Sequence, residues 1–312
     1  MNNLLIIRTP FQAWLAERVL EKEGIDNFDL IHFTHNNSIE DIHYYKKLAR
    51  KANKSEYIFV LPQRINILSL ITFKIRSRSW YNYCQYNIIL CASIDNFYIT
   101  SLIRSNRNCR LITFDDGTSN IDTKSSYSYF QESKSVRDRF YRFLLNALSL
   151  SQVKSLIDRH YTMYDGYENI VDSSKLVFLD KLKRPTYKKN NATKTYFIGT
   201  PFEEIMSDKE IKKLEGFLKN WEFSTYVAHP RETRLLKIGA KTLDKKGQIA
   251  EEAILEDAKD SSIILIGGNL SSVMLNIGHV CQEVIVILPQ ESKITPNISE
   301  MSIESGFKVT LI

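Results

Sequence analysis

Cysteine is scarce in this chain, and the cysteines it has are badly spaced for chemistry. Among its 312 residues stand Cys84, Cys91, Cys109 and Cys281, and no two form a Cys-x-x-Cys pair. That spacing suits neither a zinc site nor a disulfide framework, so the four read as buried thiols of a reduced compartment. Long apolar runs are missing as well. The run Leu4–Ile7 ends at Arg8, which rules out a signal-peptide core, and the stretch from Ile65 to Phe73 is broken by Asn66, Ser69 and Thr72. A cytoplasmic protein is expected, resting at most on the inner face of a membrane.

Several signatures are also absent. There is no Gly-x-Gly-x-x-Gly, no Gly-Lys-Ser/Thr phosphate loop and no Gly-x-Ser-x-Gly elbow, which argues against dinucleotide binding, P-loop chemistry and α/β-hydrolase catalysis. His32, His35 and His43 lack metal-ligand spacing with any carboxylate or cysteine. No repeat or low-complexity tract is present.

What the chain does contain is ordinary globular material: 43% hydrophobic and 25% charged residues, enough to build sizeable cores. Lys and Arg exceed Asp and Glu by 42 − 36 = 6, and a mild basic excess suits anionic ligands or an anionic membrane surface. A nucleic-acid partner rests on that balance alone and is not expected. The length predicts two domains.

Short β-rich runs alternate with helix-like segments from end to end. Strands are expected at Leu4–Ile7, Leu30–Thr34, Tyr57–Leu61, Ile88–Ala92 and Leu111–Phe114, with amphipathic stretches Phe11–Glu23 and Ile39–Ala52 between them. A polar loop at Thr118–Ser128 and a helix at about Glu132–Leu148 interrupt the rhythm. The basic segment Lys181–Lys194, with Pro185, reads as a linker. The alternation then resumes at Thr195–Ile198, Asp208–Asn220, Ser224–Ala228, Ala250–Ala258, Ser262–Ile266, a helix from Ser271, Glu283–Leu288 and Phe307–Leu311. The fold expected is α/β: two Rossmann-like domains facing a cleft, residues 1–185 and 186–312. The aromatic cluster Trp80, Tyr81, Tyr83 and Tyr86 beside Lys74, Arg76 and Arg78 reads as partly core, with a nucleic-acid- or lipid-facing surface as the alternative.

In open parallel sheets ligands bind beyond the carboxyl ends of the strands, so residues just after strands are the candidates. Asp115-Asp116-Gly117 follows Leu111–Phe114, where two adjacent carboxylates can supply a general base and glycine permits a sharp turn. An ordinary Asp-Gly turn is the alternative. His229-Pro230 follows Ser224–Ala228, and the proline holds His229 extended, ready to hydrogen-bond or protonate a phosphate. A surface histidine in a turn is the competing reading. Gly267-Gly268-Asn269-Leu270-Ser271-Ser272 follows Ser262–Ile266 and offers backbone N–H groups and hydroxyls to an anion, unless Ser271 is simply a helix cap.

The ordered set Asp115-Asp116-Gly117, His229-Pro230 and Ser271-Ser272 resembles glycosyltransferase family 52, the bacterial lipooligosaccharide-type sialyltransferases. It shares its motif order with the multifunctional bacterial sialyltransferases. The resemblance implies a GT-B-like fold, CMP-sialic acid as donor, inversion at the anomeric carbon and no metal cofactor. It implies Asp116 as general base, with Asp115 tuning it or binding acceptor, and the reverse assignment open. His229 would contact the CMP phosphate, which Ser271 and Ser272 would also hold. Glu251, with Glu252 as its alternative, would bind the ribose. Gly199-Thr200-Pro201, Pro230 and Gly268 would line the donor site, and Gln12 and Thr9 would meet the acceptor, a galactose-terminated glycan or glycolipid. Oligomeric state stays open, a homodimer included.

Overall fold

The computed structural model describes residues 2–60, 67–81, 86–106, 108–121, 136–184, 192–291 and 295–312. Tyr83, Cys84, residues 122–128 of the polar loop, the first turn of the helix expected from Glu132, and residues 185–191 of the basic segment lie outside these. The chain divides into two compact units, Met1–Asp180 and Lys181–Ile312. The division falls before the compositional boundary at 185/186. Leu182 packs against the second unit's core, and the Arg184 guanidinium donates to the Lys259 carbonyl at 3.0 Å, which ties this stretch to the second unit.

The first unit runs β1 (Asn2–Ile7), α1 (Pro10–Glu23), β2 (Phe28–Thr34), α2 (Ile39–Ala49), β3 (Ser55–Phe59), α3 (Ile67–Arg76), α4 (Arg78–Tyr81), β4 (Tyr86–Cys91), α5 (Phe97–Ser105), β5 (Arg110–Phe114), α6 (Val136–Leu145), α7 (Leu150–Leu156), β6 (Ile157–Thr162) and β7 (Leu176–Phe178). Its seven strands pair in the order β3-β2-β1-β4-β5-β6-β7, every pair parallel. Leu4, Leu5, Ile6 and Ile7 are all fully buried, as an unbroken apolar run requires when helices cover both faces of a sheet. Thr9 caps α1 by accepting from the Gln12 N–H, Pro10 takes the first helical position, and Ser38 with Asp41 forms a capping box on α2. Trp80 and Tyr86 are buried in the core, as the core reading of that aromatic cluster has it.

The second unit runs β8 (Thr193–Ile198), α8 (Asp208–Leu218), β9 (Thr225–Val227), β10 (Lys241–Thr242), α9 (Ala250–Ala258), β11 (Ser262–Gly267), α10 (Ser272–Ile277), β12 (Glu283–Leu288), α11 (Thr295–Glu304) and β13 (Lys308–Leu311). Its order is β10-β9-β8-β11-β12-β13, again all parallel. Tyr196 and Ile198 enter one core and Phe197 the other, because side chains alternate across a strand.

Strands β6, β7 and β10 and helices α3, α4, α5, α7 and α11 are not among the sequence expectations. β6 escapes because Ile-Asp-Arg-His-Tyr-Thr reads as polar, although His160 and Thr162 are fully buried. In each sheet the strand order reverses at one place, between β1 and β4 and between β8 and β11, and such a reversal opens a crevice at the carboxyl edge.

Candidate active site

In the first unit the residues after β1, β4 and β5 meet at that carboxyl edge. The two carboxylates after β5 go separate ways. Asp115 is fully buried. Its Oδ2 accepts from the Met163 N–H at 2.8 Å, and its Oδ1 lies 3.1 Å from His160 Nε2, whose Nδ1 is 2.8 Å from Thr113 Oγ1. This network joins β5 to β6. Asp116 is half-buried and belongs to another network. Its Oδ1 accepts from Gln12 Nε2 and its Oδ2 from Ser93 Oγ, both at 2.6 Å, while its N–H donates to Asn120 Oδ1 at 2.7 Å. Gly117 has φ of 61°, a left-handed turn that a side chain would disfavour.

Burial bears on the expected acceptor-side residues. Asp115 has no exposed surface, so acceptor binding is closed to it. Gln12 is equally buried: its amide donates to Asp116 and to Ser93 Oγ (2.8 Å), and its carbonyl accepts from the Arg8 N–H at 2.8 Å. In this arrangement it positions the Asp116 carboxylate. Thr9 is half-buried and its Oγ1 caps α1, a bond that leaves the hydroxyl hydrogen to donate.

Ser93, Asp95, Asn120 and His160 are parts of this site that the sequence reading missed. Ser93 and Asp95 follow directly on β4, so the strand-end rule applied there would have found them. Ser93 holds a left-handed backbone, φ 51°, a conformation that costs a non-glycine residue about 1–2 kcal/mol. Burial first, and then the neighbouring Asp116 charge, push the Asp95 carboxyl above its usual range, with Arg8 opposing.

In the second unit the ends of β9, β8 and β11 lie side by side. His229, after β9, is half-buried. Its Nδ1 accepts from the Arg231 N–H at 3.1 Å, which leaves the proton of the neutral ring on Nε2. Burial, reinforced by the Arg231 and Lys245 cations, pushes its pKa down to about 4. At neutral pH in the unliganded protein the ring is therefore neutral and presents Nε2–H as a hydrogen-bond donor. Pro230 is exposed.

The His229 loop is fastened back onto its own strand, β9, by Glu232, whose carboxylate accepts from the His229 N–H at 3.1 Å and from the Tyr226 hydroxyl. Gly199 makes this closeness feasible, since a Cβ there would sit 2.9 Å from Tyr226 Cε1 and 3.0 Å from the Val227 carbonyl. Thr200 and Pro201 are buried beside it, so this segment can offer a ligand little beyond backbone. Gly268 also differs from expectation: its bare Cα packs against Leu214 Cδ2 and Phe202 Cε1, where a Cβ would come within 2.6 and 2.7 Å. It serves packing.

Ser271 caps α10, its Oγ accepting from the Met274 N–H at 3.4 Å, and Ser272 takes the first helical position. Both are half-buried. Behind them Glu251, on the first turn of α9, is 3% exposed and accepts from Asn276 Nδ2 at 2.8 Å. Burial raises its pKa. Asn276 Oδ1 is buried without a partner. Glu252 is half-buried on the same turn. Among the described residues no group of three His, Cys, Asp or Glu side chains is placed to hold a metal.

The chain is similar to several characterised proteins. It is 26% identical over 270 residues, 82% of this chain and 70% of the other, to an N-acetyllactosaminide alpha-2,3-sialyltransferase of Neisseria meningitidis serogroup A. A CMP-N-acetylneuraminate:beta-galactoside alpha-2,3-sialyltransferase of Pasteurella multocida is 29% identical over 236 residues, 74% of this chain and 73% of the other. Among solved structures, a UDP-N-acetylglucosamine 2-epimerase superposes with a TM-score of 0.53 at 12% identity, covering 100% of this chain and 83% of that one. TcCGT1, solved in complex with UDP, also gives 0.53, at 11% identity and with 100% and 85% covered. At such identities the likeness is one of fold, that of the two-domain GT-B glycosyltransferases. The sequence profile of glycosyltransferase family 52 matches residues 29–289, and the chain belongs to that family.

Proposed function

We propose that this glycosyltransferase moves sialic acid from CMP-sialic acid to a terminal galactose of a bacterial surface glycan. The acceptor is a lipooligosaccharide, O-antigen or capsule chain, and the linkage α2,3 with inversion. The first unit binds acceptor and carries the base; the second binds the nucleotide sugar. Asp116 takes the proton of the acceptor hydroxyl as that oxygen bonds to the anomeric carbon. The bond from that carbon to the CMP phosphate breaks, and the phosphate leaves as an anion. His229 Nε2–H and the Ser271 and Ser272 hydroxyls meet it, so the leaving group is stabilised by donors and needs no metal. Glu251, or Glu252 beside it, holds the ribose.

The observation that carries this reading is the Asp116 carboxylate, gripped on each oxygen by a buried donor and more accessible than its neighbour. A carboxylate fixed in position is what general-base catalysis requires, worth about 10²–10⁴-fold. The similarity to two alpha-2,3-sialyltransferases supports the donor and the linkage. The protein would work in the cytoplasm at the inner face of the membrane, where lipid-linked acceptors are assembled.

The test is a panel of sugar nucleotides incubated with the protein and a galactoside, reading free nucleotide and product mass. CMP release from CMP-sialic acid, with a sialylated product, is expected. UDP release from a glucose donor would replace this reading with another transferase on the same scaffold, and no release from any donor would leave a non-catalytic assembly protein.

A further inference from the structure

Two adjoining helices of the first unit turn apolar side chains outward. On α3, Ile67, Leu68, Ile71 and Ile75 are 49–74% exposed, whereas Leu70 and Phe73 lie in the core. At about 100° per residue the four exposed positions make one stripe facing away from the buried pair. On α6, Val136, Phe140 and Phe143 are 47–81% exposed, while Tyr141 and Leu145 enter the same core. The two helices pack against each other, and Lys74 Nζ donates to the Leu144 carbonyl at 3.3 Å. Neither stripe is covered by another described residue.

The charge around this face is predominantly positive, with Asp138 on α6 and Glu56, which pairs with Arg76 at 3.5 Å, as acidic exceptions. Residues 67–81 contain Lys74, Arg76 and Arg78 and no Asp or Glu. By helical geometry Lys74 and Arg76 fall on opposite sides of the α3 stripe. Arg139 is exposed on α6. Among the described residues no helix is long and apolar enough to cross a membrane.

We propose that this face docks on an anionic lipid bilayer, its isoleucine, leucine, valine and phenylalanine side chains at the headgroup boundary and its lysine and arginines on lipid phosphates. Apolar residues rimmed by cations bind such surfaces by burial and electrostatic attraction together. A second copy of the chain fits less well: a two-fold contact through this face would set the same cations against each other. The docking stands independently of the sialyltransferase reading; only its purpose, bringing the enzyme to a lipid-linked acceptor, rests on that reading.

The test sediments the full-length protein with vesicles of phosphatidylglycerol and phosphatidylethanolamine, or of phosphatidylcholine alone, with no sugar nucleotide present. Binding to the anionic vesicles, weakened by salt, is expected. The triple variant Leu68→Ser, Ile75→Ser, Phe143→Ser should bind at least about tenfold more weakly, with unchanged circular dichroism and CMP release. The variant Arg78→Gln, Arg139→Gln should lose the anionic preference, and reads the electrostatic part even if the triple variant folds poorly. Equal binding by all variants, or no vesicle binding by the parent, overturns the proposal. A dimer that the triple substitution dissociates, without vesicle binding, assigns the face to a second copy. Vesicle binding without CMP release would sink the transferase reading and leave this one standing.

Discussion

Ser93 Oγ donates to Asp116 Oδ2 at 2.6 Å from a left-handed backbone position. The strand that ends before Ser93 neighbours the one that ends before Asp116, so the turn after one strand aims a hydroxyl at the carboxylate after the next. Gln12, from α1, closes the triangle. Backbone strain held at such a point fits a role in fixing the base.

Ser93 should therefore matter twice. Replacing it with Ala or Gly removes a hydrogen bond to a charged group, about 1.5–3 kcal/mol, and should lower kcat roughly 10- to 100-fold with little change in donor KM. Glycine relieves the left-handed backbone and alanine does not, so Ser93→Gly should be the more stable of the two by about 1 kcal/mol. Steady-state kinetics and thermal melts read the two effects separately.

The adjacent carboxylates should divide into a structural and a catalytic one. Asp116→Asn is expected to cut transfer about 10²–10⁴-fold while leaving Tm and CMP binding near those of the parent. Asp115→Ala orphans the Met163 N–H and the His160 ring, costing about 1–3 kcal/mol for each group, and should show first as a lowered Tm. The opposite pattern would transfer the base to Asp115.

The His229 ring should titrate near 4 in the free protein, followed by its imidazole proton resonances in NMR. Because the folded pKa lies below the ordinary 6.5, the unfolded chain binds more protons between those two values. His229 thus lowers stability as pH falls from about 6.5 to 4 and has no effect above that window. A midpoint near 6.5 would restore a proton-donating role. His229→Ala should weaken CMP binding and reduce kcat together.

Glu251 has the opposite sign. Its folded pKa lies above the usual carboxylate range, so its contribution is intact below about 4.5 and is lost as pH rises through the folded value. Glu251→Gln keeps an acceptor for Asn276 and removes the ionisation. The variant should gain in Tm over the parent progressively as pH rises above about 4.5, while binding CMP more weakly. A gain in stability with unchanged CMP affinity would shift the ribose contact to Glu252.

Much of the fold can be read along the chain, because apolar periodicity is local. The expected helix Ala250–Ala258 and strand Glu283–Leu288 match in full, and most other bounds lie within two residues. The strand-end motifs at Asp115-Asp116, His229 and Ser271-Ser272 sit where the alternation puts them. β6 is different: its histidine and threonine look solvated until their partners are known, and His160 lies 45 residues from Asp115, outside any local window.

Sequence alone thus determined the two parallel sheets, their strand tips and the chemical types at those tips. The fold decided which tips are neighbours. Gln12 meets Asp116 across 104 residues and Ser93 meets it across 23, pairings set by the order β1-β4-β5 and not by any spacing in the chain. Burial followed from the same packing. It left Asp115 and Gln12 inside as supports and Asp116 more exposed, and it lowered the His229 pKa, because desolvation depends on what surrounds a group in space.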